Sequence, residues 1–439
     1  MKNEKKFTIA DLWYTFLALA LPVICVSGAS PIPFALRPYL IYATGIGFVL
    51  AFIFSGIKIR LNSVTVLGFL LVSYMSISLF YSYDAAATKS LMFIYICSFT
   101  LLFTDMPTDK FELVLKICYV FCIVMAFSII ISVFINNCML RFFSFIVNPQ
   151  HSPSITAAIQ RELSEGTYSG FVRERTDAAF VMNVGIAISY SKFFSQGKLK
   201  KLDVFFLAIF IIAMIFTGKR MLFVVSVICF AIFMLISNIK NRFFKTSVIV
   251  LLAVSLVFMA SMFVPQVSSF LSRFLDSENL STIGQRDMLW NSMISMFKSN
   301  PVFGAGLNSF NSYAYNHGLL VGNREWTYNG HNSYLQFLAE LGVVGFAILV
   351  MFIAVAFYTS IKLLKAVRDN RLYSKIVYFS VYIQVLIAVY ALTGNPLYSR
   401  QMVVMWFLSI GMVNSIYYKL NPVTEKRMFG RKERLYGIE

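Results

Sequence analysis

Long apolar stretches recur along the whole of this chain. A dozen stretches of roughly 16 to 27 residues carry few charges, and the chain is 58% hydrophobic but only 13% charged. A helix of about 20 apolar residues crosses a hydrocarbon core of ~30 Å, and only helices and closed barrels satisfy their own backbone hydrogen bonds in lipid. The pattern predicts an all-α polytopic membrane protein, with residues 1–439 forming a single integral membrane domain.

The apolar stretches predict about twelve transmembrane helices. The first follows Lys2, Lys5 and Lys6 and has no convincing cleavage site, so it is interpreted as a retained span. An even number of spans places both termini on one side of the membrane. The predicted spans are residues 12–31, 36–55, 64–81, 88–104, 113–136, 178–194, 202–217, 221–236, 246–264, 333–359, 374–393 and 402–418.

The distribution of basic residues predicts the orientation of the spans. With a cytoplasmic N-terminus, the loop around Lys198 to Lys201, the loop from Lys362 to Lys375 and the basic C-terminal tail all lie inside. Cytoplasmic loops of membrane proteins are enriched in Lys and Arg, so both termini are expected in the cytoplasm. The net charge of +18 is thereby explained by topology, and nucleic acid is not expected as a partner.

Two predicted outer segments are too long to be simple turns. They are residues 137–177 and residues 265–332, and long loops in compact proteins are commonly functional. In the second loop, Leu289, Met293, Met296 and Phe297 are spaced as an apolar stripe on a helix. We therefore expect an amphipathic helix over residues 285–298, lying on the membrane surface or against the bundle and ended by Asn300-Pro301.

Arginine residues in the outer segments are candidates for binding an anionic substrate. Arg220 lies in the tight turn of residues 217–220, and Arg286 begins the amphipathic helix. A guanidinium group matches phosphate oxygens with two parallel hydrogen bonds. Two alternatives stay open for each Arg: anchoring to lipid headgroups, and structural salt bridges to nearby carboxylates. The weaker candidates, taken from their outer position alone, are Arg173, Arg175, Arg324 and Arg400.

His331 directly precedes the tenth predicted span. Asn332 or Ser333 can cap that helix, and Ser333 with Gln336 matches a capping box. A helix N-terminus carries partial positive charge, which favours anions and disfavours imidazolium. A neutral imidazole can accept a proton, so the position is typical of a general base beside a phosphate. The alternative is a histidine that only completes a loop cap.

Four motifs in the second half of the chain resemble the O-antigen ligase and Wzy polymerase superfamily. The resemblance covers about residues 170–350, and the flanking spans match only in hydropathy. The family usually has Ser before the turn Arg, where this chain has Lys219. In chain order the motifs are Thr217-Gly218-Lys219-Arg220, Gly284-Gln285-Arg286-Asp287-Met288-Leu289-Trp290, Asn300-Pro301-Val302-Phe303-Gly304-Ala305-Gly306 and Gly330-His331-Asn332-Ser333-Tyr334-Leu335-Gln336, the last continuing to Gly345.

The resemblance implies a GT-C-like glycosyltransferase of the bacterial inner membrane, with its site on the periplasmic or extracellular face. Such enzymes need no metal or nucleotide sugar and transfer a glycan from undecaprenyl diphosphate to an acceptor sugar hydroxyl with inversion. The resemblance assigns diphosphate binding to Arg220 and Arg286 and acceptor activation to His331. Asn332 and Tyr334 become substrate-binding candidates, and a chain-length regulator protein becomes a candidate partner.

Several alternatives remain open at this point. The acceptor is a second lipid-linked repeat unit in a polymerase and lipid A core in a ligase; polymerase is favoured because polymerases serve more pathways. A lipid-linked oligosaccharide transporter is the more remote alternative, because transporters commonly place ionisable residues at mid-membrane. The six cysteines are interpreted as apolar packing residues, with pairing of Cys25 and Cys138 left open.

Overall fold

The structure is a computed structural model, and its secondary structure is helical throughout the described residues. The described residues are 9–26, 36–55, 60–103, 105–135, 138–139, 159–160, 162–172, 174–196, 200–237, 258–259, 261–262, 267–268, 271–272, 280–319 and 330–421. The cysteines all lie in this part of the chain and all are free, Cys25 and Cys138 included.

The helices coincide with every predicted span except the ninth, residues 246–264, which lies almost wholly outside the described residues. Short 3-10 helices cover Ser78–Phe80, Thr100–Phe103 and Pro396–Tyr398. The principal α-helices are α1 (Ile9–Cys25), α2 (Arg37–Ser55), α3 (Ser63–Ile77), α4 (Ala85–Phe99), α5 (Thr108–Phe134), α6 (Arg175–Gln196), α7 (Lys201–Phe216), α8 (Arg220–Ile236), α9 (Leu280–Ser299), α10 (Phe310–Asn316), α11 (Ser333–Ala366), α12 (Arg371–Tyr390) and α13 (Arg400–Leu420).

Among the described helices, seven are long and apolar enough to cross a membrane. Three shorter apolar helices accompany them, namely α1, most of α2 and α8. This part of the chain therefore supports the prediction of a polytopic helical membrane protein. The seven are Ser63–Phe80, Ala85–Phe103, Thr108–Phe134, Arg175–Gln196, Ser333–Ala366, Arg371–Tyr390 and Arg400–Leu420.

Helices α6, α12 and α13 form the centre of the bundle, and most of their residues are buried. A buried polar contact joins three helices there: the Tyr382 hydroxyl donates to Asn183 Oδ1 (2.7 Å), and Asn183 Nδ2 donates to the Leu222 carbonyl (3.2 Å). Because a buried amide without partners is unfavourable, this contact fixes the relative positions of α12, α6 and α8. The site described below lies at the ends of these helices.

Helix α11 is broken at Gly342, which has φ 64° and ψ −172°. The turn that follows α9 fills the break: the Val343 amide donates to the Pro301 carbonyl (2.9 Å) and the Val344 amide donates to the Val302 carbonyl (3.3 Å). Those carbonyls supply acceptors that the helix lacks where it restarts. We call residues 333–341 the short arm and residues 343–366 the long arm.

The predicted amphipathic helix is α9, and its apolar side packs against the bundle. Leu289, Met293 and Met296 are buried with Ala339 of the short arm and with Phe310 of α10. Helix α9 ends at Ser299, directly before Asn300-Pro301, as predicted. The helix and the short arm together form the platform that carries the candidate site.

Candidate active site

The turn between α7 and α8 is short and internally bonded. The Thr217 hydroxyl donates to the Met214 carbonyl (2.7 Å) and accepts from the Lys219 amide (3.3 Å), while Gly218 adopts φ 67°. The Tyr168 amide of the preceding loop donates to the Phe216 carbonyl (2.9 Å). These contacts hold the half-buried side chains of Lys219 and Arg220 at the start of α8.

Helix α9, which carries Arg286, packs against the segment that contains His331. The Trp290 indole, one helical turn after Arg286, donates from Nε1 to the Gly330 carbonyl (3.1 Å). Gly330 packs tightly, because a Cβ there would lie 2.8 Å from Gln336 Oε1 and 3.0 Å from Met293 Sδ. The hydrogen bond from Trp290 and this close packing together fix the position of Gly330, the residue that precedes His331.

His331 has a left-handed backbone with φ 52°, which is uncommon for a residue other than glycine. Asn332 is the N-cap of α11, and its Oδ1 accepts from the Leu335 amide (3.0 Å). The Ser333 capping box is not formed: Ser333 Oγ donates to the Gly394 carbonyl (3.0 Å), and Gln336 Nε2 donates to Glu340 Oε1 (3.0 Å). Of the two cap residues predicted, the structure selects Asn332.

The pKa of His331 is lowered from its ordinary value. The largest cause is partial desolvation by the protein packed around the imidazole, even though the residue as a whole is exposed. The charges of Arg286 and Lys219 lower this pKa further. Two like charges and desolvation all disfavour imidazolium. Arg286 and Lys219, which belong to two other segments of the chain, therefore lie within electrostatic range of His331, and the imidazole is neutral near pH 7.

Lys219 is a residue of the site that the motifs do not single out. It stands in the turn where the family that the motifs resemble usually has Ser. In the structure its positive charge contributes to the lowered pKa of His331, while Arg220 follows it as the first residue of α8. The position of Lys219 in the turn was itself the signal that could have identified it.

The remaining sequence candidates occupy varied surroundings. Arg175 Nη1 pairs with Glu165 Oε2 (2.5 Å) and donates to Thr167 Oγ1 (2.6 Å), which matches the structural salt-bridge alternative for this residue. Arg400 is exposed at the start of α13. The Tyr334 hydroxyl donates to the Ala388 carbonyl (2.8 Å). Arg173 and Arg324 lie outside the described residues.

The end of α12 forms a further side of the site that the sequence did not indicate. The Tyr390 hydroxyl lies within electrostatic reach of both Arg286 and Asp177. Asp177 Oδ1 accepts from Gln401 Nε2 (2.6 Å), which links the start of α6 to α13. Tyr390 lies in an apolar span and has no distinctive spacing, so hydropathy alone could not reveal it.

A buried carboxylate lies inside the short arm. Glu340 has no exposed surface and accepts four hydrogen bonds, two at each oxygen. Oε1 accepts from Gln336 Nε2 (3.0 Å) and the Phe310 amide (3.1 Å); Oε2 accepts from the Tyr398 hydroxyl (2.8 Å) and the Asn308 amide (2.5 Å). Four donors match the lone-pair sites of the two carboxylate oxygens. Glu340 thus joins α10, α11 and the segment before α13 beneath the site.

Comparison with known families bears directly on this arrangement. Residues 205–350 match the O-antigen ligase family. The O-antigen ligase match covers one third of the chain and includes Lys219, Arg220, Arg286, His331 and the break at Gly342. It confirms the resemblance inferred from the motifs. A search of curated proteins finds no match to this chain.

Proposed function

We propose that this protein is a membrane glycosyltransferase that moves a glycan from undecaprenyl diphosphate to an acceptor sugar hydroxyl. The observation that carries the proposal is the meeting of His331, Arg286 and Lys219 in a segment similar to O-antigen ligases. Such a site combines a neutral proton acceptor with cations suited to phosphate. The inner membrane is the proposed location, with the site on the periplasmic or extracellular face and both termini cytoplasmic.

The cationic residues act on the departing diphosphate. As the bond between the anomeric carbon and the phosphate oxygen breaks, the diphosphate leaves with the bonding electrons and gains negative charge. Arg286 and Arg220 stabilise that charge from fixed positions on α9 and at the start of α8, while Lys219 acts mainly on His331. Preorganised charge of this kind is commonly the largest contribution to catalysis, and here it requires no metal ion.

His331 acts on the acceptor. Its neutral imidazole takes the proton of the acceptor hydroxyl while the hydroxyl oxygen bonds to the anomeric carbon, on the face opposite the leaving group. The product is an inverted glycosidic bond, a protonated imidazole and a free lipid diphosphate. The nearby cations oppose lasting protonation of His331, so the proton passes readily to solvent.

We infer that the acceptor is a second lipid-linked repeat unit, which makes the product an O-antigen or capsular polymer. Transfer to lipid A core is the second candidate, favoured by the description of the matching family. Separation of lipid-linked polymer from lipid A-linked glycan in membranes that contain the protein distinguishes the two. Movement of the lipid-linked donor across liposomes without any transfer would instead support a transporter.

Substitution of Arg286 tests the chemistry. Loss of one charge-stabilising donor typically lowers a rate on the order of 10² to 10³, so Arg286→Ala should nearly abolish transfer of a radiolabelled lipid-linked donor. Arg286→Lys should remain poor because it loses the bidentate fork. Lys298→Ala, in the exposed last turn of the same helix, is the matched control. Wild-type activity in Arg286→Ala would remove this residue from the mechanism.

Cysteine labelling tests the proposed orientation. Asn316 and Asp369 are both exposed, the first at the end of α10 and the second between α11 and α12. A membrane-impermeant maleimide should label Asn316→Cys in intact cells or spheroplasts and Asp369→Cys only after permeabilisation. The reverse pattern would place the site in the cytoplasm. Ser169 is unsuitable for this test because it is fully buried.

A further inference from the structure

Helix α9 has a second polar surface, turned away from the reaction site. Successive helical residues are rotated by about 100°, so Asn291 lies roughly 140° around the helix from Arg286. Asp287, Asn291 and Ser295 follow one another at four-residue spacing and are exposed. Their side chains form no salt bridge or hydrogen bond with another described residue, so the three polar groups remain available to a ligand.

These side chains line a cleft between α9 and the turn that ends α10. The cleft has a volume of about 540 Å³ and is also lined by Met288, Ser292, Gly318 and Leu319. Its volume lies within the range of about 300–1,000 Å³ that is usual for small-molecule sites.

Internal hydrogen bonds fix the walls of the cleft. The Ser292 hydroxyl donates to the Met288 carbonyl (2.8 Å) and lies 3.3 Å from the Leu319 carbonyl, and the Leu319 amide donates to the Ala314 carbonyl (2.8 Å). Gly318 adopts φ 64° and has no neighbour within 4 Å of a Cβ position. The turn that holds Gly318 thus leaves one side of the cleft open.

The chemistry of the lining matches a sugar ring. A carboxylate, a carboxamide and a hydroxyl can together donate to and accept from sugar hydroxyls, while Met288 and Leu319 supply apolar atoms for the carbon face of the ring. The Asp287 carboxylate opposes anionic sugars by like-charge repulsion. The lining therefore favours neutral or amino sugars over uronic acids.

We propose that this cleft binds a neutral or amino sugar of the glycan strand, at a position removed from the reacting end. The inference rests on the proposed function, because it supposes that the protein handles a glycan. A strand held there stays attached to the enzyme while its reacting end lies beside Arg286 on the other side of α9. The cleft then increases the local concentration of a strand that has already been extended.

Binding of a glycan without lipid or diphosphate tests the cleft separately from catalysis. The probe is the oligosaccharide released by mild acid from the surface glycan of the host, titrated into the purified full-length protein in detergent. Loss of two hydrogen bonds should weaken binding about tenfold in the double variant Asn291→Ala, Ser295→Ala. Ser295→Phe, which fills the cleft, should also prevent binding. Lys298→Ala, outside the cleft on the same helix, should bind as the wild type does.

The outcomes separate this inference from the proposed function. Equal binding by the wild type and both cleft variants, or no binding by an active wild type, would overturn the cleft while leaving the transferase intact. Reduced binding in the cleft variants, together with full transfer by Arg286→Ala, would support the cleft and contradict the proposed chemistry. In an active polymerase, the cleft variants should also release shorter products at an unchanged rate of first transfer.

Discussion

The two arms of α11 belong to one helix but are stabilised in different ways. The short arm buries Gln336 and Glu340 in a network of polar partners. The long arm buries Phe352, whose ring lies 5.5 Å from that of Phe407 and 5.3 Å from that of Trp406. A lipid-exposed span must avoid unpaired polar groups, whereas a site scaffold needs defined positions. Because the helix is broken at Gly342, one continuous stretch of chain forms both an apolar long arm and a polar short arm that supports the site.

Removal of the break should have the largest effect. A Cβ at Gly342 would lie 2.2 Å from the Val302 carbonyl oxygen, and its φ of 64° is unfavourable for other residues. Gly342→Ala should therefore prevent normal folding or greatly lower the melting temperature, measured by size-exclusion chromatography after heating. Gly318→Ala is the control, since Gly318 has the same φ but open space around it. Equal melting temperatures for the two variants would show that the break is dispensable.

Replacement of His331 should abolish transfer without loss of folding. General-base catalysis typically contributes about 10² to 10⁴ in rate. Asn tolerates the left-handed backbone that His331 adopts, so His331→Asn keeps the local structure and removes the base. Transfer should fall by at least about 10²-fold, while the melting temperature and donor binding stay unchanged.

His317 provides the matched control for His331. It lies directly after α10, stacked on Tyr313 at 4.0 Å between ring centroids, and has no place in the proposed chemistry. His317→Asn should transfer glycan at close to the wild-type rate. An active His331→Asn enzyme would reject the general-base assignment and leave His331 as a structural residue.

Loss of the carboxylate in the short arm should lower stability by a smaller amount. Glu340→Gln presents an amide NH₂ to groups that are themselves donors, and an unsatisfied buried polar group costs about 1–3 kcal/mol. The melting temperature should therefore decrease. In the long arm, the Ser360 hydroxyl accepts a hydrogen bond from Gln384 Nε2 (2.7 Å). Ser360→Ala should lower the melting temperature by less than Glu340→Gln does. The reverse order would show that the polar network contributes little to holding the site.

Lys219 should have the smallest effect, visible mainly as a shift in pH dependence. Because Lys219 lowers the pKa of His331, Lys219→Met should raise that pKa toward its ordinary value. The base must be neutral, so activity falls as pH decreases through this pKa. The acidic limb of the transfer rate against pH should therefore move to higher pH in Lys219→Met. An unmoved limb, with activity otherwise reduced, would assign Lys219 to the diphosphate alone.

The positions of the helices were predictable because each span must satisfy its backbone hydrogen bonds internally and so requires one long apolar run. The break at Gly342 could not be predicted from the sequence, because it lies inside such an apolar run. It depends on a turn some 40 residues earlier in the chain. His331 and Arg286 were recognisable from their motifs. Tyr390 was missed because burial in a span makes it resemble a packing residue. Glu340 is unusual as a carboxylate in an apolar span, but its four donors come from separate segments that only the fold brings together.

Tyr398, one of the four donors to Glu340, has a consequence for how the protein is made. Tyr398 and the carbonyls of Ala391 and Gly394, which accept from the Ser333 amide, are synthesised well after residue 350. A nascent chain that has released only its family-matched segment therefore lacks the groups that position the short arm. We expect the site to mature only once α12 and α13 have folded, so that the proposed transfer cannot begin on an incomplete chain.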